Sequence, residues 1–555
     1  MFGRPILACV GLLAAAVAAA WLRAESAIPQ VGLSQLESGR YYAVDLSGPV
    51  RSFDLELDAC SRYEVIVSSL GAAGQTYRVS LEAIPRTRVE SFPAIAVTAW
   101  DKRPHRHELD ISRAARNETF ESRARQEAGR RSPLPDPPQA DGSRGEYPSH
   151  GRANYNHSEE VRVAANQVTT ERVVAGDGAS AGSGRRFFLH VTADALEDER
   201  GYVPVQGMLA GEGKYARVYL DNDVPKSGLA PGLIVEIIRL LDEEIIPRSR
   251  KLLGEHADVD RDGKLAVLVT AWLGRLCGGR TSLKGFVRAN DFQADVPAPF
   301  GNHADLVYLN SSVEPGTPLK TLLAHEYTHA VCFSRRLADP WRAAPLPEEE
   351  DWLNEAIAHV AENLHASDRS NSRRSNLDWS NLDWSNLDWS NLDWRIAAFL
   401  AAPQSSPLVV RDYYRAGLWR DSGCRGATYL FLRYCVDQFG ERLLRDLVDS
   451  PVGGKRNLER ATGIAFPELF RRWTIALARD DIASVRLHEK IGDCELAGPA
   501  RIEWRPETGS CEIDLRGTAT SLVILKHSGK AHAARIVVHC EAAAQLQVSI
   551  VRDAQ

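Results

Sequence analysis

The sequence lacks both a strong net charge and any clustering of cysteines. It has 67 lysines and arginines against 73 aspartates and glutamates, so its formal net charge is only −6 over 555 residues. A charge this small and this evenly spread argues against nucleic acid or an anionic membrane as a partner. The cysteines are too scattered to form a Cys-rich metal module. They are Cys9, Cys60, Cys277, Cys332, Cys424, Cys435, Cys494, Cys511 and Cys540.

Length and composition indicate a globular protein with several domains. Hydrophobic residues make up 44% of the chain and charged residues 25%, which is the usual profile of soluble globular proteins. Because a domain usually takes ~100–200 residues, the length predicts three or four domains.

The N-terminal segment has the pattern of an export signal. Arg4 precedes an apolar run from Ile6 to Leu22, with small residues near its end, and this predicts a cleaved signal peptide over residues 1–24. The alternative is an uncleaved anchor, since ~17 apolar residues are at the short limit for spanning a bilayer. Cys9 lies near the start of the run, so we do not interpret it as a lipid-attachment cysteine. Export predicts a secreted, periplasmic or cell-surface bacterial protein without a stable membrane partner, and it permits disulfides whose pairing the sequence leaves open.

The rest of the chain divides by its patterning into four regions. Alternating apolar and polar residues predict small all-β domains over residues 25–100 and 490–555. Residues 101–184 are charged and rich in Pro, Gly and Ser, which is typical of a linker. Residues 185–489 combine strand-like runs with amphipathic helices. Within this region the pentapeptide SNLDW occurs four times over residues 375–394, and we interpret the repeat as an inserted surface loop, because one solenoid coil cannot bury a core.

The segment TLLAHEYTHAVCF carries the first candidate metal ligands. His325 and His329 are four residues apart in a predicted helix that begins near Thr317, so both side chains project from one face. Two imidazoles one turn apart can bind one tetrahedral zinc ion, and Glu326 would lie beside it to act on a water molecule. The motif by itself leaves open the alternative of two surface histidines that share this spacing by chance.

A catalytic zinc ion needs a third protein ligand and keeps its fourth position open. A second predicted helix, over residues 348–365, carries Glu355, His359 and Glu362 on adjacent turns. The context Trp352-Leu353-Asn354-Glu355 resembles the third-ligand helix of the gluzincins, the thermolysin-like zinc peptidases, and this resemblance makes Glu355 the candidate third ligand. The metzincin pattern would need a third histidine six residues after His329, where this chain has arginine. That family is therefore excluded.

Four segments in this order resemble the hyicolysin-type family of secreted bacterial neutral metallopeptidases within the thermolysin-related gluzincins: HADVDRDGKLAVLVT, ADLVYLN, TLLAHEYTHAVCF and DWLNEAIAHVAE. The resemblance covers roughly residues 185–480. It implies an α+β fold, in which a gluzincin-type catalytic domain has a twisted sheet with an edge strand over the zinc helix, then a helical subdomain, and is flanked by the small all-β domains. It also implies Zn²⁺ held by His325, His329 and Glu355, with Glu326 as general base.

The same resemblance suggests supporting residues. These enzymes have a carboxylate four residues after the ligand glutamate to orient a zinc histidine, and here that position is His359, with Asn354 as a second supporting candidate. The candidate oxyanion donors are Tyr429, Tyr414 and Arg425 in the downstream region. The strand DLVYLN resembles the edge strand on which these enzymes bind an extended peptide.

The loop DVDRDG is a weaker candidate for Ca²⁺. Asp258, Asp260 and Asp262 have the spacing of a calcium loop, but its twelfth position is Val269 instead of the glutamate that completes an EF-hand. The alternative is a tight turn that leads into a strand.

These patterns predict a secreted zinc endopeptidase that acts on protein or peptide substrates. Glu326 would take a proton from water and return it to the leaving amine. The alternative is a catalytically weak or inactive peptidase-like surface binding protein in which the β-domains do the work. The intact Glu326 favours the enzyme, because a binding protein has no chemical need for it.

Overall fold

The computed structural model describes most of the chain outside three long segments, residues 1–40, 87–183 and 367–390. The predicted signal peptide, the linker and most of the SNLDW repeat therefore lie outside the described residues. All of the described residues belong to one compact unit of the chain. The described ranges are 41–45, 50–57, 62–86, 184–192, 196–338, 346–366, 391–418, 421–479, 490–491, 494–495, 498–527 and 532–552.

A six-stranded mixed sheet forms the frame of the central region. Its strand order is β5-β6-β7-β8-β10-β9. Strands β7, β8 and β10 run parallel, and the other neighbours pair antiparallel. The strands are β5 (Gly184–His190), β6 (Tyr202–Glu212), β7 (Ala216–Asp221), β8 (Leu265–Thr270), β9 (Gly285–Phe286) and β10 (Leu306–Asn310).

The prediction that DLVYLN forms the edge strand is wrong. This segment contains β10, which lies between β8 and β9, and all five of its residues are buried. A continuous apolar run is typical of an interior strand with both faces covered, which is the position that β10 occupies. The edge strand on this side of the described sheet is β9, which has only two residues and no apolar pattern by which sequence reasoning could find it.

Helices pack on the sheet and continue into a helical region. The first of them passes through a π-helical turn at Leu240–Ile245. The α-helices are α1 (Leu233–Arg239), α2 (Ile246–Leu252), α3 (Leu276–Gly279), α4 (Thr317–Leu337), α5 (Asp351–Ala366), α6 (Asn391–Ala401), α7 (Ser422–Phe439), α8 (Arg442–Val448), α9 (Gly454–Thr462) and α10 (Phe466–Ala478). Short 3₁₀ turns lie at Glu199–Gly201, Lys226–Gly228, Trp272–Gly274, Ala289–Phe292, Pro403–Ser405, Pro506–Thr508 and Ala542–Ala544.

Helix α4 lies between the sheet and the later helices. Leu323, Tyr327 and Ala330 join the main hydrophobic core, which includes residues of β7, β8 and β10. Helix α4 also packs on α5, and α5 packs on α7. Because the apolar stripe of α4 faces this core, the face with its two histidines is turned toward α5. The predicted α+β class agrees with this mixture of helices and sheets.

Strands from the two ends of the chain form one β-sandwich. One sheet has the order β1-β17-β3-β15-β13 and the other β14-β4-β16-β2. Its strands are β1 (Tyr41–Asp45), β2 (Val50–Leu57), β3 (Arg62–Ser69), β4 (Thr76–Arg86), β13 (Arg501–Trp504), β14 (Cys511–Arg516), β15 (Thr520–Lys526), β16 (His532–His539) and β17 (Leu546–Arg552). A separate two-stranded ribbon joins β11 (Lys490–Ile491) to β12 (Cys494–Glu495).

This pairing corrects the prediction of two separate β-domains. β3 lies between β17 and β15, and β16 lies between β4 and β2. Both ends therefore bury side chains in the same core, as Tyr63 and Ile536 do. Period-two alternation predicts that strands exist, but it does not say which strands pair, and here the partners are separated by more than four hundred residues.

The sandwich packs directly on the helical region. Ile66 and Leu522 of its first sheet form a buried cluster with Ile475 of α10. The backbone N–H of Leu408 donates to the carbonyl of Thr518 over 2.9 Å. The sandwich is thus continuous with the packing of the helical region.

Three further predictions can be compared with the described residues. The last SNLDW unit supplies the first turn of α6, where Leu392 is buried, so this part of the repeat is helix instead of loop. No helix in the described residues is long and apolar enough to cross a membrane. Five of the described cysteines are free thiols, and all of them except Cys277 are buried. They are Cys277, Cys332, Cys424, Cys435 and Cys511.

Candidate metal centre

Helix α4 brings together the two histidines of the His-Glu-x-x-His motif. His325 and His329 are each 8% exposed, and their Nε2 atoms lie 3.2 Å apart. Two nitrogen ligands at ~2.0–2.1 Å from a tetrahedral zinc ion would be separated by roughly 3.3 Å. The observed separation also suits a hydrogen bond between two neutral rings. A third ligand nearby is therefore needed to distinguish a metal site from a simple contact between the two histidines.

Helix α5 supplies that donor. Oε2 of Glu355 lies 3.6 Å from Nε2 of His325. One ligand atom from each of His325, His329 and Glu355 lies within 4.8 Å of the other two. Two imidazoles and one carboxylate are a donor set that zinc accepts. The three residues predicted from the sequence are therefore brought together in an arrangement that could hold a metal ion.

The first of these histidines is supported by Glu362. Oε2 of Glu362 lies 3.4 Å from Nδ1 of His325, the ring nitrogen that does not face His329. A carboxylate on the second nitrogen fixes the ring orientation and tautomer of a metal-binding histidine. Although burial raises the pKa of Glu362, its contacts with His325 and His359 hold that pKa well below its usual range.

The prediction that His359 orients the metal-binding histidine is therefore corrected. His359 is fully buried and its Nδ1 lies 3.1 Å from Oε2 of Glu362, so it contacts the orienting carboxylate. Burial, followed by the nearby Arg395, lowers the pKa of His359 to about 3. Glu362 lies seven residues after Glu355, which is two helical turns along the same face, so the helical period of α5 was the signal that could have found it.

The second group of donors does not form a second metal site. His325, His359 and Glu362 also lie close enough to share an ion. However, Nη1 of Arg395 lies 2.7 Å from Nε2 and 3.0 Å from Nδ1 of His359. A guanidinium in this position repels a cation. Within the group, His359 and Glu362 are hydrogen-bonded to each other, and Glu362 lies next to His325.

Glu326 lies between the two histidines and next to the edge strand. It is 5% exposed, and burial raises the pKa of its carboxyl to about 7. A general base works best when its pKa lies near the working pH. Gly285 of β9 lies against it, since a Cβ atom at that position would be 3.2 Å from Cγ of Glu326. The absence of a side chain at Gly285 lets the edge strand approach the carboxylate.

Arg425 contacts the candidate third ligand. Its Nη1 donates to Oε2 of Glu355 over 2.7 Å. Burial disfavours the charged form of Glu355, but Arg425 and the neighbouring histidines outweigh it and hold the pKa of Glu355 well below its usual range. Glu355 is therefore ionised, and its Oε2 is paired with Arg425 in this structure.

The two tyrosines predicted as oxyanion donors differ in their exposure to solvent. Tyr414 is 66% exposed, and Tyr429 is buried in the main core.

Sequence reasoning missed a third tyrosine, Tyr413, which directly precedes Tyr414. Tyr413 is 3% exposed, and its ring centre lies 5.6 Å from Cζ of Arg425. Burial, together with Cys424 and Glu355, raises the pKa of Tyr413. Its hydroxyl has no hydrogen-bond partner among the described residues. Two adjacent tyrosines cannot be told apart by local pattern, because only tertiary packing decides which one is buried.

Asn354 lies near the second histidine, but neither its Oδ1 nor Nδ1 of His329 has a hydrogen-bond partner among the described residues. Asn354 is 6% exposed. Burial lowers the pKa of His329 to about 4, while Glu355 and Asn354 act in the opposite direction. His329 is therefore neutral, which is the form that binds a metal.

Two of the three carboxylates in the candidate calcium loop are paired with arginines. Asp258, Asp260 and Asp262 lie close together. Arg185 pairs with Asp260 at 2.6 Å, and Arg217 pairs with Asp262 at 2.5 Å. Asp258 accepts hydrogen bonds from the backbone of its own turn. A Ca²⁺ ion would have to displace both arginines, so these contacts favour the tight-turn interpretation.

Comparison with known proteins gives one partial similarity. The chain is 27% identical over 188 residues to the neutral metalloprotease ShpI of Staphylococcus hyicus. The aligned region covers 32% of this chain and 40% of that protein, so the chain spans well under half the length of the relative it matches. No protein-family model matches the chain. The similarity supports a metallopeptidase family, and hence a hydrolase with a metal cofactor, and no finer assignment.

Proposed function

We propose that the protein is a zinc-dependent endopeptidase, exported through residues 1–24. The observation that carries the proposal is the convergence of His325, His329 and Glu355 beside the buried Glu326. The similarity to a neutral metalloprotease supports the same reaction class.

His325, His329 and Glu355 would hold the metal, with Glu362 fixing the ring of His325. A zinc ion bound there would supply Lewis acidity and lower the pKa of water toward ~7. Arg425 helps to keep the Glu355 carboxylate ionised. The chain then provides three ligands and leaves further coordination positions to water and substrate.

Glu326 would act as the general base and then as the general acid. It takes the proton from the attacking water and gives it to the nitrogen of the leaving amine. Its raised pKa, about 7, makes both transfers accessible near neutral pH. Tyr413 is the proposed hydrogen-bond donor to the developing oxyanion, because its buried hydroxyl has no partner in the described residues and lies close to Arg425 and Glu355.

The edge strand supports a peptide as the substrate. Strand β9 pairs with β10 on one side and with no strand of the described sheet on the other. An extended peptide could add to that free edge through backbone hydrogen bonds. Because Gly285 of β9 lies against Glu326, a peptide bound there would pass the general base.

The test compares wild type with Glu326→Gln on casein and on a peptide library, with zinc measured on both proteins. We expect about one zinc per chain in each, and a kcat/KM that falls roughly 10²–10⁴-fold in the variant. Glu314→Gln is a matched control at an exposed position in the loop before α4, and it should leave cleavage unchanged. One zinc per chain without cleavage of any peptide by wild type would reject the peptidase and favour a binding protein.

A further inference from the structure

Helices α6 and α7 cross in close contact next to the candidate metal centre. A Cβ atom at Gly426 would collide with the backbone carbonyl of Arg395 and press on Phe399, so only glycine permits this approach. Gly426 directly follows Arg425 in α7. The crossing therefore places the side chains of Arg395 and Arg425 in the same neighbourhood, and their positive charges act on one another.

Arg395 uses only part of its guanidinium to contact the protein. Its Nη1 lies 2.7 Å from Nε2 of His359. His359 Nδ1 faces Glu362, so we assign the proton to Nδ1 and the acceptor role toward Arg395 to Nε2. Arg395 forms no ion pair with any carboxylate in the described residues, and its Nε and Nη2 have no hydrogen-bond partner there. Arg395 is half-buried.

A partly buried guanidinium without a paired carboxylate is costly to maintain, so it calls for a partner. Three carboxylates lie near Arg395 without bonding to it, those of Glu326, Glu355 and Glu362. The positive charges of Arg395 and Arg425 partly balance these three carboxylates. A divalent cation on Glu355 would leave this neighbourhood with a surplus of positive charge, which an anionic group of the substrate would offset.

We propose that Arg395 is a specificity-determining residue that, next to Arg425, binds a carboxylate of the peptide substrate close to the scissile bond. The inference rests on the proposed peptidase function and extends it to a substrate class. The carboxylate could belong to an aspartate or glutamate side chain or to the free C terminus of a peptide, and both present the planar pair of oxygens that a guanidinium binds with two hydrogen bonds.

The experiment uses quenched fluorescent peptides in matched pairs. One series replaces Glu by Gln, and Asp by Asn, at each position that flanks the scissile bond. A second series compares a free C-terminal carboxylate with its amide. The proteins are wild type, Arg395→Gln, Arg395→Lys and the control Arg442→Gln, which removes an arginine whose side chain is 86% exposed. Zinc content and thermal melting establish that each variant is folded and loaded.

We expect wild type to prefer the carboxylate member of one series by roughly 10- to 100-fold in kcat/KM. Arg395→Gln should reduce this ratio to near one, Arg395→Lys should retain part of it, and Arg442→Gln should keep all of it. The series that shows the preference identifies the source of the carboxylate. Equal rates within every wild-type pair, or a preference that survives in Arg395→Gln, would overturn the proposal. An equal loss of kcat/KM on both members of each pair in Arg395→Gln would also overturn the proposal. It would show that Arg395 only positions His359.

Binding gives a readout that does not depend on turnover. Labelled peptides from the same pairs are titrated into zinc-loaded Glu326→Gln, with and without Arg395→Gln, and followed by fluorescence anisotropy. We expect the same preference, removed by the second substitution. If wild type cleaves no peptide, the peptidase function fails while this measurement still decides the carboxylate preference. If cleavage occurs without any such preference, only the specificity inference fails.

Discussion

Oε2 of Glu362 lies 3.4 Å from Nδ1 of His325, whose Nε2 faces His329 and Glu355. The imidazole thus has a carboxylate on the side away from the candidate metal position. Its ring is held by α5, the helix that also supplies Glu355. The candidate metal ligands and the carboxylate next to His325 are therefore brought together by the contact between α4 and α5.

Glu362→Gln should weaken zinc binding by about 10- to 100-fold, because the neutral amide no longer raises the basicity of His325. The measurement is competition with a chelator of known zinc affinity. The exposed control Glu314→Gln should bind zinc as wild type does. An unchanged zinc affinity in Glu362→Gln would show that the carboxylate does not support the ligand.

Tyr413→Phe should lower kcat by roughly 10²–10³-fold with zinc content unchanged, because one donor to the oxyanion is lost. Tyr414→Phe is the matched control, since it removes the same hydroxyl from the adjacent exposed ring. Steady-state kinetics on one peptide compares the two variants. A larger loss in Tyr414→Phe would reverse the assignment.

The buried carboxyl of Asp305 should make stability depend on pH. Burial raises its pKa to about 6, against the lowering influence of His256 at 3.1 Å. The folded state therefore favours the protonated acid. This contribution is complete below the pKa of the unfolded chain, ~3.9, and is lost as pH rises through about 6.

Asp305→Asn should remove that loss, which amounts to at most about 3 kcal/mol in the free energy of unfolding. Urea unfolding at pH 4, 5, 6 and 7 measures the free energy of unfolding of both proteins. We expect this free energy to change less between acid and neutral pH in the variant than in wild type. Parallel pH profiles of the two proteins would contradict a buried acid at this position.

The N-terminal strands should stay bound after the chain is cut. A specific protease site is placed between the end of β4 at Arg86 and the start of β5 at Gly184. Cleavage there breaks the covalent link between β1–β4 and their partner strands. Because β3 lies between β15 and β17, we expect the two fragments to co-elute in size-exclusion chromatography. Expression from residue 184 onward should give aggregated protein, since β15 and β17 would expose unpaired edges. Soluble, well-folded protein from that shorter chain would argue for an independent C-terminal domain.

Local pattern predicted much of the candidate site. That His325 and His329 share one helical face follows from the 3.6-residue period alone. The choice of Glu355 on a second helix came from the resemblance to the gluzincins. The α+β mixture followed from the same periodicities. The edge strand did not, because two residues at Gly285–Phe286 carry no pattern, and β10 was mistaken for it although its apolar run is typical of an interior strand.

The sequence by itself determined which side chains share a face of one helix or alternate along one strand, since these relations depend only on local backbone geometry. The tertiary structure alone decided that Glu362 supports His325, that Tyr413 is buried while Tyr414 is exposed, and that both ends of the chain share one sandwich. These outcomes depend on which apolar faces bury one another across hundreds of residues. Many pairings satisfy the same local pattern, and only burial of the whole core selects one of them.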